Sequence, residues 1–187
     1  MSKKKLLWLD LEMTGLDEKN DKILEIAAIV TDYELNEIAQ FHHVIHQPQE
    51  ILDGMNEWCK VHHGKSGLTD LVKDGTKQEQ VETELCVWVK THFGDKHGKD
   101  GAVLAGNSIH NDRRFIDHHL PEFAKLLHYR MVDVSSFKEV FRERFSLKYE
   151  KKNAHRAIGD VQESISELKH YLSFVKPDSG KENAGKL

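Results

Sequence analysis

The sequence predicts a mixed α/β domain, and three features of the chain support this prediction. An alternating apolar run from Lys5 to Glu12 and two further runs, Lys22 to Asp32 and Glu37 to His46, have the composition of β-strands. From about residue 50 the apolar spacing changes to three and four residues, which is typical of helices. A compact apolar strand, Ala102 to Gly106, then lies between helical segments. We therefore expect a mixed sheet flanked by helices, formed by a single domain over residues 1–176.

The first strand is predicted to be buried on both of its faces. Leu7, Leu9 and Leu11 lie on one face, and Asp10 and Glu12 lie on the other, beyond two apolar residues. Both faces therefore begin apolar, which is typical of a central strand covered on two sides. The polar residues gather at the C-terminal end of the strand, so two carboxylates are expected at the edge of the core.

The middle of the chain predicts three helices. The apolar residues of the first helix are Ile51, Leu52, Met55 and Trp58. A break from Gly64 to Gly67 separates it from a short helix, Leu68 to Val72. Thr76 and Glu79 form a capping-box pattern that opens the third helix, which is expected to end near Gly94.

Another strand and three helical segments complete the predicted order. A helix is expected from about Asn111, and Pro121 interrupts it. A short strand follows from Arg130 to Val134, and Ser135 is the predicted N-cap of the next helix. The apolar stripe of the final helix consists of Val161, Ile165, Leu168 and Leu172. Residues 177–187 are polar and lack aromatic side chains, so we expect a disordered tail.

Charge and composition argue against long nucleic acids and membranes as partners of this protein. With 27 Lys and Arg against 31 Asp and Glu, the formal net charge is −4, too negative for a protein that grips long nucleic acid by bulk electrostatics. A short or metal-bound nucleic acid remains permitted. Cys59 and Cys86 are predicted to be free thiols in a reducing compartment. No apolar run reaches the roughly 18 residues of a membrane span, so no membrane partner is expected.

Four carboxylates and one histidine form the candidate chemical site. Asp10 and Glu12 are two residues apart on a strand, so both side chains project from one face and repel each other when ionised. A hard cation such as Mg²⁺ or Mn²⁺ would relieve that repulsion. Asp112 lies near a helix start after a buried strand, and Asp160 lies near the start of the final helix, five residues after His155. Each acid alone has an ordinary alternative, a solvated strand end or a helix N-terminal acid, but the set favours a two-metal phosphodiesterase.

The same five residues match the three motifs of the DEDD exonuclease superfamily, in its histidine-bearing branch. Within that branch the chain resembles the oligoribonuclease family, and the resemblance covers about Leu6 to Phe174. Its most specific segments are Trp8 to Leu16, Ala105 to His110, and His128 to Arg130. The resemblance implies a ribonuclease H-like fold, in which a mixed β-sheet is flanked by α-helices.

The resemblance also implies an activity. Members of the family hydrolyse very short RNA in the 3′→5′ direction, especially 5′-phosphorylated dinucleotides, to nucleoside 5′-monophosphates, and they form homodimers. Two divalent metal ions, Mg²⁺ or Mn²⁺, would be held by Asp10, Glu12, Asp112 and Asp160, and His155 would be the general base. Two cations about 3.5–4 Å apart stabilise the attacking and leaving oxygens, while a histidine of pKa about 6.5 accepts a proton near neutral pH.

Seven further residues match substrate-binding positions of the family. They are Leu16, Trp58, His63, Ser108, Tyr129, Arg130 and Ser135. By resemblance, Leu16 and Trp58 would wedge and stack the bases, which tolerates any base, and Ser108, Arg130 and Ser135 would cap the 5′-phosphate. Each residue also has an ordinary alternative, because the helical spacing favours Trp58 as a core residue and a surface arginine or an N-cap serine is common.

Two other functions stay open on the sequence. A DNA-directed exonuclease of the same fold would have the same metal site, and substrate length would separate it from the first hypothesis. A nucleic-acid-binding protein that kept the fold and lost catalysis belongs to a different class, and the presence of all five catalytic residues counts against it.

Two remaining patterns concern zinc and the compartment. The 13 histidines show no Cys/His spacing of a structural zinc site, so we interpret most as surface or packing residues. No transit-like leader precedes Leu6, so a cytoplasmic location is expected, with mitochondria as the alternative.

Overall fold

A computed structural model describes residues 4–150 and 156–175, with three strands first and the remaining strands between helices. The strands are β1 (Lys5–Met13), β2 (Ile23–Asp32), β3 (Glu37–Val44), β4 (Ala102–Gly106) and β5 (Leu127–Asp133). The helices are α1 (Gln49–Asp53), α2 (Glu57–Lys65), α3 (Leu68–Val72), α4 (Gln78–Phe93), α5 (His110–His119), α6 (Pro121–Ala124), α7 (Val134–Phe145) and α8 (Ala157–Leu172). His155 and the tail predicted at 177–187 lie outside the described residues.

The five strands form one mixed sheet in the order β3-β2-β1-β4-β5. β1 pairs antiparallel with β2, and β2 pairs antiparallel with β3. β4 is parallel to β1, and β5 is parallel to β4. The predicted mixed α/β sheet is therefore confirmed, with β1 at its centre as its two apolar faces indicated.

Helices cover both faces of the sheet. Leu7, Leu9 and Leu11 of β1 pack on one side against apolar residues of α4, α5 and α6. Leu6 and Trp8 pack on the other side against residues of α7 and α8. Asp10 and Glu12 continue this second face, so α8 is the helix that covers the strand beside them.

Three predicted starts or ends of helices and strands differ from the structure. The helix expected through Trp58 is two helices, because α1 ends at Asp53 and Asn56 caps α2 by accepting a hydrogen bond from the Cys59 N–H at 2.9 Å. Thr76 does not cap α4, since it bridges to Ile45 as extended backbone and the N-cap of α4 is the next residue, Lys77. The last strand begins three residues earlier than predicted and ends one residue earlier, at Asp133.

Both cysteines are free thiols, Cys59 buried and Cys86 partly buried. None of the helices within residues 4–150 and 156–175 combines the length and the apolar character that crossing a bilayer requires.

Candidate active site

Three carboxylates from two elements meet at the C-terminal end of β1. Asp10 and Glu12 extend from that strand, and Asp160 extends from the first turn of α8. One oxygen from each side chain lies within 4.8 Å of the other two, and all three side chains are partly buried. The alternation of the strand and the start of the helix thus place three negative groups around one point.

The raised pKa of Glu12 shows that ionising all three carboxylates is unfavourable without a cation. Burial, together with the neighbouring charges of Asp160, Glu25 and Asp112, raises the pKa of Glu12 from 4.5 to about 8. Hard oxygen ligands that repel one another at this spacing fit Mg²⁺ or Mn²⁺, which would neutralise the set. The residues present therefore suit a divalent cation.

Asp112, the fourth predicted metal ligand, is held beside this group without being one of the three that meet. Its Oδ1 accepts a hydrogen bond from the Leu11 N–H at 2.9 Å, between Asp10 and Glu12 in the sequence. Burial raises the pKa of the Asp112 carboxyl from 3.8 to about 7, against the lowering effect of that bond. Asp112 therefore ties the start of α5 to the backbone of β1 at the site.

His155, the predicted general base, lies outside the described residues. Its neighbour Arg156 is described and precedes α8 directly. Asp160 follows four residues after Arg156, and its N–H donates to the Arg156 carbonyl at 3.0 Å. This bond joins Asp160 to the residue that directly follows His155 in the sequence.

An apolar cavity of about 390 Å³ adjoins the carboxylates. Glu12 lines it together with Leu16, Trp58 and His63. Leu16 is 67% exposed and Trp58 is 59% exposed, so neither is a core residue. The alternative of Trp58 as core is wrong because the break between α1 and α2 changes the helical phase, which turns its ring outward to stack on His62 with centroids 3.8 Å apart.

The turn that presents Leu16 is closed by its own hydrogen bonds. The Asp21 carboxylate accepts from the Thr14 hydroxyl and from the Asp17 N–H, each at 2.9 Å. A Cβ on Gly15 would lie 2.3 Å from Asp21 Oδ2, so only glycine fits this turn as it stands. Leu16 therefore projects from a turn whose shape is fixed by neighbouring residues.

His63 connects this cavity to the carboxylates. It is 2% exposed, and its Nε2 lies 2.9 Å from the Met13 carbonyl oxygen, an acceptor, so Nε2 carries the proton. Its Nδ1 lies 3.7 Å from Glu12 Oε2. The histidine predicted by resemblance to bind substrate thus contacts the end of β1 directly.

Two of the predicted 5′-phosphate residues meet at the C-terminal ends of β4 and β5. The Ser108 hydroxyl lies 3.1 Å from the Ser135 hydroxyl, and Asp133 Oδ1 accepts from the backbone N–H of both residues. Asp133 is therefore the N-cap of α7, and the prediction that Ser135 fills this position was wrong. The strand ends one residue earlier than expected, so the carboxylate reaches both amides and the Ser135 hydroxyl donates to Asn107 Oδ1 at 3.2 Å.

Tyr129 and Arg130 lie on β5, at the edge of the sheet. The Tyr129 side chain is 65% exposed, and the Arg130 guanidinium lies 5.4 Å from the centre of its ring. Within the described residues, Arg130 makes no hydrogen bond to Ser108 or Ser135. The structure therefore brings the two serines together and leaves the arginine on the exposed edge strand.

Sequence reasoning missed one buried charge next to the site. Glu25 lies opposite Glu12 in the β1–β2 pairing and is fully buried. Hydrogen bonds from His42, Arg156 and the Ala157 N–H outweigh the effect of burial and hold the pKa of Glu25 at about 2. A single acid inside the apolar segment Ile23 to Val30 was the available signal, because a buried carboxylate needs partners.

Similarity to known proteins shows the class of enzyme to which this chain belongs. The exonuclease family model RNase T matches residues 7–168. Exonuclease I from Methylocaldum szegediense has a TM-score of 0.69 at 18% identity, over 94% of this chain and 41% of that chain, which supports the fold alone. With its cluster of carboxylates at the end of β1, the chain is a ribonuclease H-like, metal-dependent exonuclease.

Sequence relatives define the family. The mitochondrial oligoribonuclease of Mus musculus is 45% identical over 177 residues, which are 91% of this chain and 73% of that protein. The oligoribonuclease of Hydrogenovibrio crunogenus is 46% identical over 175 residues, 91% of this chain and 93% of that protein. The chain belongs to the oligoribonuclease family, which confirms the resemblance identified from its motifs.

Proposed function

We propose that this protein hydrolyses very short RNA from the 3′ end, preferring 5′-phosphorylated dinucleotides, to nucleoside 5′-monophosphates. The observation that carries the proposal is the meeting of three carboxylates beside an apolar cavity with two exposed apolar side chains on its rim. The net charge of −4 supports a short substrate, because binding a long strand would require neutralising many phosphates. The relatives named oligoribonuclease support RNA as the substrate.

The carboxylates would bind the metal ions, and His155 would act as the general base. Asp10, Glu12 and Asp160, with Asp112 behind them, would hold two divalent cations, Mg²⁺ or Mn²⁺. These ions would supply charge stabilisation at the phosphoryl oxygens and a lower pKa for the attacking water. His155 would accept the proton from that water, a role that suits an imidazole near neutral pH.

The cavity supports recognition of bases without regard to sequence. Leu16 and Trp58 offer an apolar wedge and an aromatic face in water, and every base has a face that can stack on them. His63 closes the inner end of the cavity against Glu12. A base held here would place its phosphodiester next to the carboxylates.

The 5′-phosphate would be bound near the two paired serines. Ser108 and Ser135 supply hydroxyl groups at the ends of neighbouring parallel strands, and Arg130 and Tyr129 would complete the cap. An arginine is suited to this role because its planar fork pairs with two phosphate oxygens. We further propose a homodimer, and the cytoplasm as the compartment with mitochondria as the alternative.

A length series of 5′-phosphorylated RNAs tests the substrate. We expect the single-turnover rate at subsaturating enzyme to be highest for the dinucleotide and to fall at least about tenfold by twenty nucleotides. The 5′-phosphate of a longer strand lies too far from its 3′ end to reach the two serines, and a chain of net charge −4 does not compensate by binding the extra phosphates. The rates are measured in Mn²⁺ for lengths of two to twenty nucleotides. Equal rates for the dinucleotide and the twenty-nucleotide RNA would contradict the length preference.

The same series separates the two other hypotheses. A deoxyribonucleotide series with higher rates than the RNA series would favour the DNA-directed exonuclease. Binding without any hydrolysis in Mn²⁺ would favour the nucleic-acid-binding protein.

Truncation of Trp58 tests the stacking role. We expect Trp58→Ala to raise KM for the dinucleotide about tenfold, because stacking of a base on an aromatic ring contributes about 1–3 kcal/mol. The melting temperature should change little, since the ring is 59% exposed. Steady-state kinetics and thermal melting measure the two effects.

A matched control for Trp58 is Tyr33→Ala, which removes another exposed aromatic ring, 53% exposed. Tyr33 directly follows β2, whose last residue pairs with Lys5 at the opposite end of β1 from the carboxylates. Its KM should equal that of the parent. A Trp58→Ala variant that melts several degrees lower with an unchanged KM would assign Trp58 a packing role instead.

A further inference from the structure

A buried ionic cluster stands next to the carboxylates of the proposed site without belonging to them. Glu25 is fully buried in β2, inside a strand whose neighbouring residues are apolar. A carboxylate in such a position is unfavourable unless donors surround it. The hydrogen-bond donors around Glu25 show which part of the fold its carboxylate holds in place.

Four donors reach the two oxygens of Glu25. Oε1 accepts from Arg156 Nη2 at 2.6 Å, from Arg156 Nε at 2.9 Å and from His42 Nε2 at 2.7 Å. Oε2 accepts from the Ala157 N–H at 3.1 Å and more weakly from Arg156 Nε at 3.2 Å. One oxygen thus binds mainly the arginine fork and the other binds a backbone amide.

That amide belongs to the first residue of α8. The first N–H groups of a helix have no partner within the helix, and a side-chain acceptor normally supplies one from the residue before it. Arg156 occupies that position in α8 and makes no such cap. Glu25 therefore caps α8 from a different element of the fold, 132 residues earlier in the chain.

The capped turn is the turn that carries Asp160. The Asp160 N–H donates to the Arg156 carbonyl at 3.0 Å, so this backbone bond joins Asp160 to the residue that Glu25 clamps. Glu25 is also the Cα partner of Glu12 in the antiparallel pairing of β1 and β2. One side chain thus fixes the start of α8 against the strand pair that presents the other two carboxylates.

We propose that Glu25, through its bonds to Arg156 and the Ala157 N–H, is a positioning residue that sets Asp160 at the distance from Asp10 and Glu12 needed to bind a divalent cation. This inference rests on the proposed metal-dependent function. Glu25 itself need not touch the cation or the substrate. Its loss would leave the three carboxylates present and spread them apart.

Glu25→Gln tests the proposal because it keeps the shape of the side chain and removes one acceptor oxygen. An amide at this position must give up either the arginine fork or the Ala157 N–H. We expect Mn²⁺ affinity, measured by isothermal titration calorimetry on the full chain at 20 °C, to fall about tenfold or more. In Mn²⁺, kcat for the dinucleotide should fall while KM stays near the parent value, since the base cavity is untouched.

Tyr171→Phe is the matched control at the other end of α8. Tyr171 is fully buried and its hydroxyl donates to Glu167 at 2.9 Å, so the variant also removes a buried hydrogen bond of α8, one that lies within the helix. We expect a lower melting temperature with unchanged Mn²⁺ affinity. Equal Mn²⁺ affinity of Glu25→Gln and the parent would overturn the proposal, and so would equal weakening by Tyr171→Phe.

Arg156→Lys tests the positioning role of Glu25 if Glu25→Gln fails to fold. Lysine keeps the charge and lacks the fork, and the Arg156 side chain is 28% exposed, so this variant is mild. Reduced Mn²⁺ affinity at an intact fold supports the proposal, and parent-like affinity contradicts it. If the parent binds no Mn²⁺, the proposed function itself fails, whereas parent binding with parent-like variants removes only the role of Glu25.

Discussion

Asp160→Asn is expected to lower the single-turnover rate of dinucleotide hydrolysis at least about a thousandfold in saturating Mn²⁺. Asp160 is the one member of the three-carboxylate group that comes from α8, opposite the pair on β1. Replacing it removes a hard ligand and one negative charge, and the charge stabilisation that a bound cation gives a transition state is several kcal/mol. The rate is measured with a 5′-phosphorylated RNA dinucleotide.

Asp70→Asn is a control of equal chemistry, since Asp70 is an exposed acid on α3, outside the group. It should retain the parent rate. If Asp160→Asn keeps more than about a tenth of the parent rate at an intact fold, Asp160 does not hold the ion that the reaction needs. The same assay on His155→Ala would test the proposed base.

Glu12→Gln is expected to stabilise the metal-free protein at pH 8 by an amount on the order of 4 kcal/mol relative to the parent. The pKa of Glu12 is about 8 when folded and 4.5 ordinarily, so the folded chain binds this proton more tightly than the unfolded chain. A group raised in this direction favours the folded state at low pH and loses that contribution as pH rises from about 4.5 to 8. The gap between parent and variant should therefore widen over this window.

Chemical denaturation in EDTA at several values of pH from 5 to 8.5 measures this gap. Only the difference between the two proteins reports Glu12, because the buried Asp112, whose pKa is about 7, adds a slope of the same sign to both. Added Mn²⁺ should reverse the order at pH 8 by stabilising the parent alone. A gap that is independent of pH would be inconsistent with the protonation of Glu12 described here.

The parts of the site that follow from neighbouring residues were predictable from the sequence, and the parts that depend on distant contacts were not. The alternation in β1 placed Asp10 and Glu12 on one face at a core edge. The start of α2 at Glu57 depends on the side-chain cap that Asn56 supplies, and without this cap the helical spacing misplaced Trp58 in the core. The spacing of apolar residues carries no information about such a cap.

Contacts between residues that are distant in the sequence were the main feature that the sequence did not predict. The lone acid at Glu25 indicates a buried partner, yet its partner Arg156 lies 131 residues later and no local pattern links them. Asp133 likewise serves two amides from different elements, Ser108 and Ser135, which only the parallel pairing of β4 and β5 brings together. Pairings of this kind are properties of the sheet.

The closed turn at Leu16 has a consequence for affinity. A dinucleotide covers little surface, so the entropy lost by ordering flexible protein groups on binding could cancel most of the gain from its contacts. The bonds from Thr14 and Asp17 to Asp21 order this turn during folding, before any ligand arrives. A preorganised rim of this kind would let the proposed dinucleotide substrate retain most of its contact energy as affinity.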